Sequence, residues 1–334
     1  MNMNTQASAD LMRHATHTIE VGSRSFAAAA RLFPPATRRS VLMLYAWCRH
    51  CDDVVDGQEL GFSAAASDIC GTNFELDRLY DDTRRAYSGE PMRNPAFAAF
   101  QEVALGHAIA PRYAFDHLAG FAMDVGDMRY RTIDDTMRYC YHVAGVVGLM
   151  MASIMGARDE RVLDRACDLG LAFQLTNIAR DIIDDARIGR CYVPAEWLLE
   201  AGIPPDHVAL PRHRAALATV AARLVDHAEP YYESAMLGIA ALPLRSAWAI
   251  ASARNVYRQI GVEVKRRGAR AWDERVGTSR AAKLRLLALG GAQALGSRLS
   301  PARAAMARPR RRDLWLRPGR AGGAPGPAAL EADA

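Results

Sequence analysis

Long apolar runs are scarce in this 334-residue sequence, so it offers few candidates for a transmembrane helix. The longest run, residues 143–155, is shorter than the roughly 20 residues that a transmembrane helix needs. The next run, residues 235–251, is interrupted by Pro243 and Arg245. The first residues also lack the basic, apolar and small-residue succession of a secretory signal. We therefore expect a cytoplasmic protein whose contact with membranes is at most peripheral.

The cysteines are few and do not have the spacing of a disulfide framework. Cys48 and Cys51 form a close pair, but no second pair stands at the spacing of a zinc site. We interpret this pair as core packing, which suits a reducing compartment. The cysteines of the sequence are Cys48, Cys51, Cys70, Cys140, Cys167 and Cys191.

Nucleotide-binding patterns are absent as well. No G-x-G-x-x-G follows a strand-like segment, and there is no P-loop, so the sequence does not favour a nicotinamide or nucleotide fold. The net charge of +5 hints at nucleic acid, but residues 301–334 hold seven Arg against three acidic residues. The remainder carries 35 basic and 34 acidic groups, so we expect no nucleic-acid partner. The basic tail is either a solvated end or a segment that touches anionic lipid.

The amino-acid composition of the chain predicts an all-α protein. Half of the residues are apolar, and Ala, Leu, Arg and Met are abundant while strand-like alternation is scarce. No long linker or shift in composition interrupts the chain before residue 297. We predict one all-α domain, residues 1–296, followed by an irregular tail rich in Arg, Pro and Gly, residues 297–334. The helices predicted in this domain include three that span about residues 134–156, 159–187 and 244–267.

Polar side chains line up on one face of the helix predicted over residues 159–187. Gln174, Asn177, Asp181 and Asp185 share a narrow arc beside an apolar stripe. Like charges four residues apart destabilise a helix by a few tenths of a kcal/mol. A divalent cation would offset that repulsion, and a solvated acidic face is the alternative.

A second predicted helix repeats this arrangement near residue 50. Tyr45, Arg49, Asp52 and Asp56 stack on one face, again beside apolar residues. Two such helices indicate a pair that faces across a cavity. Mg²⁺ is typically held by one or two carboxylates and by phosphate oxygens of the substrate. Because Arg49, like Arg180 on the other helix, offers bidentate recognition of phosphate, the pair favours a diphosphate site.

Three smaller features allow two interpretations each. Residues 22–26 are small and hydroxyl-rich, and they either donate hydrogen bonds to phosphate or form a simple turn. Gly145 and Gly148 permit close approach of another helix or of a bulky ligand. Asp124 and Asp127 cap helices or support the phosphate site, and we favour support. His142 is interpreted as a core histidine.

Four stretches of the sequence resemble the squalene and phytoene synthase family, over about residues 15–295. They read Gly-Ser-Arg-Ser-Phe at 22–26, Tyr-Ala-Trp-Cys-Arg-His-Cys-Asp-Asp-Val-Val-Asp at 45–56, Tyr-Cys-Tyr-His-Val-Ala-Gly-Val-Val-Gly at 139–148, and Gln-Leu-Thr-Asn-Ile-Ala-Arg-Asp-Ile-Ile-Asp-Asp at 174–185 with Arg-Cys-Tyr-Val-Pro at 190–194. A lone Asp-Asp-x-x-Asp is unspecific, whereas the two aspartate stretches together with the Tyr-Cys-Tyr helix are highly specific.

The resemblance implies a fold and a set of site residues. The fold is the single-domain isoprenoid synthase fold, with helices around a central cavity and two aspartate-rich helices facing each other. Mg²⁺ or Mn²⁺ is the implied cofactor, and NADPH is not expected. The implied metal ligands are Asp52, Asp56, Asn177, Asp181 and Asp185. The carboxylates of this set act in catalysis with Arg49 and Arg180. The implied substrate-binding residues are Gly22, Ser23, Arg24, Ser25, Phe26, Tyr45, Arg49, Tyr139, Val143, Gln174, Arg180 and Tyr257. Asp184 points away from the metal face by its helical position and receives no role.

The activity that the resemblance implies is the head-to-head condensation of two geranylgeranyl diphosphates to phytoene, through prephytoene diphosphate. Such a transferase belongs to carotenoid biosynthesis, where a phytoene desaturase is the partner downstream. Farnesyl diphosphate as substrate, giving dehydrosqualene, is the main alternative, and cavity length decides between the two. A terpene cyclase would also use two metal-binding motifs, but it would not need the Tyr-Cys-Tyr helix. A non-catalytic relative would be expected to have lost aspartates, and all are intact.

Overall fold

The computed structural model describes residues 3–56, 58, 59, 62, 63, 69–126, 128–299 and 310–319. Most of these residues are helical, and the strands seen among them form one hairpin with two residues in each strand, so the all-α prediction is confirmed. The elements are α1 (Met3–Gly22), α2 (Arg24–Ala30), α3 (Pro35–Asp56), β1 (Gln58–Glu59), β2 (Phe62–Ser63), α4 (Ile69–Ser88), α5 (Pro95–Gly106), α6 (Pro111–Val125), α7 (Ile133–Cys140), α8 (Val146–Ile154), α9 (Glu160–Arg187), α10 (Ala195–Glu200), α11 (Arg214–Gly238), α12 (Leu244–Arg267) and α13 (Arg280–Gly296). In the described part of the chain, no helix is both long and apolar enough to cross a bilayer.

The central helix is α9, which packs against α8, α11 and α12. It begins where the Asp159 side chain accepts a hydrogen bond from the Arg161 amide at 2.8 Å, which satisfies one of the free donors of the first turn. It ends before Gly189, whose φ of +81° suits a residue without Cβ. The apolar stripe of α9 is fully buried, as the periodicity predicts.

Glycines let α9 touch the helix that contains the Tyr-Cys-Tyr stretch. A Cβ on Gly148 would lie 2.3 Å from the Ala166 carbonyl oxygen, and one on Gly170 would lie 2.2 Å from that of Ala144. The close approach foreseen at Gly148 is therefore made to another helix. The predicted helix over 134–156 is not continuous, because a π-helical turn, Tyr141–Gly145, separates α7 from α8. Such turns are often found at functional sites.

Residues 310–319, which we call the C-terminal strap, lie against the first half of α9. Arg310 pairs with Asp168, and Arg317 pairs with Asp164 at 2.8 Å. The Trp315 amide donates to the Tyr231 hydroxyl at 3.1 Å. Part of the region predicted as an irregular tail thus packs on the helical body. The division at residue 297 stays a prediction.

Candidate active site

An apolar cavity of about 390 Å³ lies between α3 and α9. Both helices contribute to its wall, and α2, α6, α8, α11 and α12 supply other lining residues. Five of the predicted site residues line the cavity with polar side chains from α3 and the middle of α9: Tyr45, Arg49, Asp52, Gln174 and Asn177. Phe26, Tyr139 and Val143 also line the cavity. The two aspartate-rich helices therefore face each other across it, as the resemblance implies.

On the α3 side, three carboxylates are held by arginines. Arg49 Nη1 donates to Asp52 Oδ2 at 2.8 Å, and its Nη2 lies 2.7 Å from Asp53 Oδ1. Arg190, which follows α9, reaches Asp56 Oδ1 with its Nη2 at 2.5 Å. This last contact ties the end of one acidic helix to the end of the other.

On the α9 side, Asp181 is the carboxylate that arginines hold. Arg180 Nε donates to Asp181 Oδ1 at 2.8 Å, a second hydrogen bond from Arg180 reaches Oδ2, and Arg275 Nη2 lies 3.3 Å from the same oxygen. One turn earlier, Asn177 donates to Gln174 at 3.3 Å. The Asn177 Oδ1 atom is buried and accepts no hydrogen bond from the described residues, so it is available to coordinate a cation.

The pKa values of Asp52, Asp181 and Asp185 are shifted from their usual range. Burial, and next the charge of Asp56, raises the pKa of Asp52 to about 7. Burial, and next the charge of Asp181, raises the pKa of Asp185 to about 8. Burial acts in the same direction on Asp181, but the hydrogen bonds and charge of Arg180 outweigh it and hold the Asp181 pKa below its usual value. Anionic carboxylates crowded in a poorly solvated site favour a bound cation.

These donors fit a divalent cation that is completed by substrate. In the described residues, no three His, Cys, Asp or Glu side chains already stand together as a metal cage. Mg²⁺ commonly uses one or two carboxylates and takes its other oxygens from water and phosphate. Asp52 with Asp56, and Asp181 with Asp185 and the open Asn177 oxygen, match that demand. The ligand assignment itself stays a prediction.

We call the part of the cavity that Arg49, Asp52 and Asn177 line its polar end. Aromatic rings form a cluster beside it. The Phe26 ring lies 5.1 Å from the Tyr257 ring and 5.8 Å from the Phe173 ring, and Phe173 lies 4.3 Å from Tyr257. Tyr45 is 6.4 Å from Phe26 between ring centroids. The cluster offers ring faces to positive charge and keeps water away from it.

The predicted phosphate-binding segment begins a helix. Ser23 is the N-cap of α2, and its hydroxyl accepts a hydrogen bond from the Phe26 amide at 3.3 Å. A Cβ on Gly22 would lie 2.5 Å from the Tyr45 hydroxyl, so glycine is what lets Tyr45 sit there. Residues 22–26 are thus neither a simple turn nor an open loop. The side chains of Arg24 and Ser25 lie outside the described residues, as do Cys70 and Asp127.

Arg190 and Asp124 also contribute to the site, although the sequence patterns predict no role for Arg190 and only a supporting one for Asp124. The Tyr139 and Tyr192 hydroxyls donate to Asp124 at 3.2 and 2.9 Å, and their rings stack at 4.4 Å. Burial raises the pKa of Asp124 to about 6, while the charge of Arg190 opposes the rise. These residues support the polar end from α6 and from the loop after α9. Their one sequence signal is that Arg190 and Tyr192 lie in the last stretch quoted for the resemblance.

Two predictions about single residues are borne out by the packing. His142 is buried, and its Nδ1 lies 2.7 Å from the Asp116 carbonyl oxygen, as expected of a core histidine. Asp184 is exposed on α9 and pairs with Arg187 at 3.0 Å, away from the cavity. Cys48 and Cys51 are free thiols.

Comparisons with known proteins agree with this architecture. The family model for squalene/phytoene synthase matches residues 19–286. A 15-cis-phytoene synthase of Pantoea ananas is 60% identical over 308 residues, which cover 92% of this chain and 98% of that protein. A 15-cis-phytoene synthase of a Paracoccus species is 51% identical over 309 residues, with the same two coverages.

Solved structures share the fold. A dehydrosqualene synthase crystallised with a ligand has a TM-score of 0.77 and 26% identity, and the match covers 87% of this chain and 99% of that one. A squalene synthase from Alicyclobacillus acidocaldarius has a TM-score of 0.67 and 24% identity, with coverages of 78% and 96%. The second likeness is one of fold alone.

Proposed function

The chain belongs to the squalene/phytoene synthase family, and we propose that it is a phytoene synthase. This transferase of carotenoid biosynthesis joins two molecules of geranylgeranyl diphosphate into phytoene, through prephytoene diphosphate, and releases diphosphate. The observation that carries the proposal is the 60% identity to the Pantoea ananas 15-cis-phytoene synthase across 92% of the chain. A polar end between two acidic helices, opening into an apolar cavity, supports it.

The chemistry has to ionise an allylic diphosphate and then protect a carbocation. Asp52, Asp56, Asn177, Asp181 and Asp185 would hold Mg²⁺ or Mn²⁺, which supplies Lewis-acid stabilisation of the leaving diphosphate. Arg49 and Arg180 release their carboxylates and bind the phosphate oxygens on which negative charge develops.

The walls of the cavity perform the second task. Val143, Phe26 and Phe173 exclude water from the reacting carbons. The ring faces of Phe26 and Phe173 stabilise positive charge as the double bond of the second substrate attacks. Tyr45, which is partly buried beside them, keeps its hydroxyl protonated at neutral pH, and burial raises its pKa well above the usual value.

Dehydrosqualene formation from farnesyl diphosphate is the second candidate. The structural likeness to a dehydrosqualene synthase favours it, at 26% identity. The much higher identity to phytoene synthases favours the longer substrate. In both cases we propose a non-reductive product that needs no NADPH.

The test is an incubation of the purified protein with either diphosphate, with Mg²⁺ and without NADPH, followed by chromatography of the products. We expect phytoene from geranylgeranyl diphosphate. If only farnesyl diphosphate reacts and the product is dehydrosqualene, the mechanism would stand but the proposed substrate would be wrong. A cyclic product, or none even with Mn²⁺ and added lipid, would contradict the proposal.

We propose that the enzyme works in the cytoplasm and touches anionic lipid through α13. Its outward face carries Leu284, Ala288, Ala292 and Leu295, all exposed, and Leu299 continues the stripe. Residues 275–312 contain ten Lys and Arg and no acidic residue. An apolar stripe bordered by cations fits an anionic membrane surface. Phytoene, an insoluble hydrocarbon, would pass there to a desaturase.

A further inference from the structure

One cation lines the cavity far from its acidic end. Arg165, on α9, is buried and borders the cavity among aliphatic residues such as Val162 and Leu242. It precedes Asn177 by twelve residues, which is about 18 Å along a helix at 1.5 Å per residue. If the diphosphates bind beside Asn177, Arg165 stands where the hydrocarbon tails end.

A hydrogen-bonded chain holds Arg165 in that position. Its Nη1 donates to the Ser234 hydroxyl of α11 at 2.7 Å. Ser234 in turn donates to Asp168, whose side chain is fully buried. A Cβ on Gly238 would lie 2.7 Å from the Arg165 Cβ, so the side chain crosses α11 where there is no room for a larger residue.

The strap completes the chain by neutralising Asp168. Arg310 Nε lies 2.9 and 3.1 Å from the two Asp168 oxygens, and its Nη2 lies 2.5 Å from Oδ1. The same guanidinium donates to the Leu314 and Trp315 carbonyl oxygens, which fixes it within the strap. A buried carboxylate needs such a partner, because an unpaired buried charge costs several kcal/mol.

We propose that Arg310 and Asp168 are positioning residues that hold Arg165 on the cavity wall, so that the strap helps to set which prenyl chain length the cavity accepts. Arg165 and Asp168 share the Ser234 hydroxyl, so Arg165 is a cation within reach of Asp168 when Arg310 is removed. Coulomb attraction then draws the Arg165 side chain away from the cavity wall and changes the shape of the cavity at the end far from Asn177. This inference rests on the proposed function, since it assumes that prenyl tails fill the cavity.

The experiment compares wild type with Arg310→Gln, Arg310→Lys and the pair Arg310→Gln with Asp168→Asn. The control is Arg311→Gln, on the same strap, whose exposed side chain pairs with Asp313. The readouts are the Tm and the ratio of kcat/KM for the 20-carbon over the 15-carbon diphosphate, measured well below every Tm. We expect Arg310→Gln to change the ratio about tenfold, the size of a one-methylene misfit. Arg310→Lys and the double variant should recover much of it, and Arg311→Gln should match wild type.

A second variant avoids the buried unpaired charge. Ser234→Ala removes the hydrogen bond to Arg165 and leaves the Arg310 pair in place, so it should fold and still shift the ratio. A lower Tm with an unchanged ratio in both Arg310→Gln and Ser234→Ala would overturn the inference, while leaving the proposed function intact. A wild type that converts neither diphosphate would refute the proposed function and this inference with it.

Discussion

Three of the four carboxylates predicted to bind the metal are already paired with an arginine. Asp52 is paired with Arg49, Asp56 with Arg190, and Asp181 with Arg180. Arg49 and Arg180, which would bind diphosphate, thus neutralise Asp52 and Asp181 until cation and substrate arrive. Binding then exchanges partners, carboxylate to metal and guanidinium to phosphate, and leaves no charge unpaired.

Asparagine substitutions test this exchange at single residues. We expect Asp52→Asn and Asp181→Asn each to lower kcat by about a hundredfold or more, because the substitution removes a negative charge that holds Mg²⁺ and the leaving charge loses its stabilisation. Helix content and Tm should change little. The measurement is steady-state turnover of geranylgeranyl diphosphate, with circular dichroism melting beside it.

Asp184→Asn is the matched control for these variants. It makes the same chemical change on the same helix, but its carboxylate is exposed and pairs with Arg187. Turnover should stay close to wild type, as is usual for surface substitutions. Near-native turnover in Asp52→Asn or Asp181→Asn would show that the metal assignment is wrong.

Helical periodicity alone was enough to group most of the polar end. It predicts that Gln174, Asn177, Asp181 and Asp185 share a face, and that Asp184 does not. Periodicity could not place Arg190 or Asp124 at the site, because Arg190 lies in a loop and Asp124 lies on another helix. Their place depends on tertiary contacts such as the Arg190–Asp56 pair, which joins residues 134 apart in sequence.

At the scale of elements, long helices with an apolar stripe were predictable and interrupted ones were not. The predictions of about 159–187 and 244–267 match Glu160–Arg187 and Leu244–Arg267. The π-helical turn within the predicted helix 134–156 was missed, because one extra residue per turn barely alters an apolar pattern. The short α2 was missed because so short a helix is stabilised by packing and capping more than by propensity.

The α13 surface gives a prediction for one helix. We expect the protein to co-float with vesicles of anionic phospholipid and to be released by high salt, because cations border the leucine stripe. Leu284→Gln with Leu295→Gln should abolish most of this binding, since the two side chains are 69% and 61% exposed and supply the apolar contact. Flotation with anionic and with zwitterionic vesicles measures it.

Leu199→Gln is the control, because Leu199 is similarly exposed, at 64%, but lies on α10. It should bind vesicles like wild type. Equal binding by the α13 double variant, or no binding by any protein, would contradict the assignment. Loss of a dimer in the double variant, seen by size-exclusion chromatography, would identify a second copy as the occupant instead.

At the scale of the whole molecule, the fold brings the acidic helices and the strap to the same central helix. The first half of α9 receives the strap, and the second half carries Asn177, Asp181 and Asp185. Sequence composition indicated a basic tail but could not predict its docking, because Arg310 and Asp168 are 142 residues apart and Arg310 lies in no periodic pattern. The burial of Asp168 and the partial burial of Arg310 were visible only in three dimensions.

The central claim is that the facing aspartates bind prenyl diphosphate through a divalent cation. Calorimetry with an unreactive thiolo analogue of geranylgeranyl diphosphate tests it most directly, in Mg²⁺ and in EDTA. We expect binding in Mg²⁺ to be at least about a hundredfold tighter than in EDTA, since carboxylates and phosphates repel each other without the metal. Equal affinity in the two buffers would contradict the account.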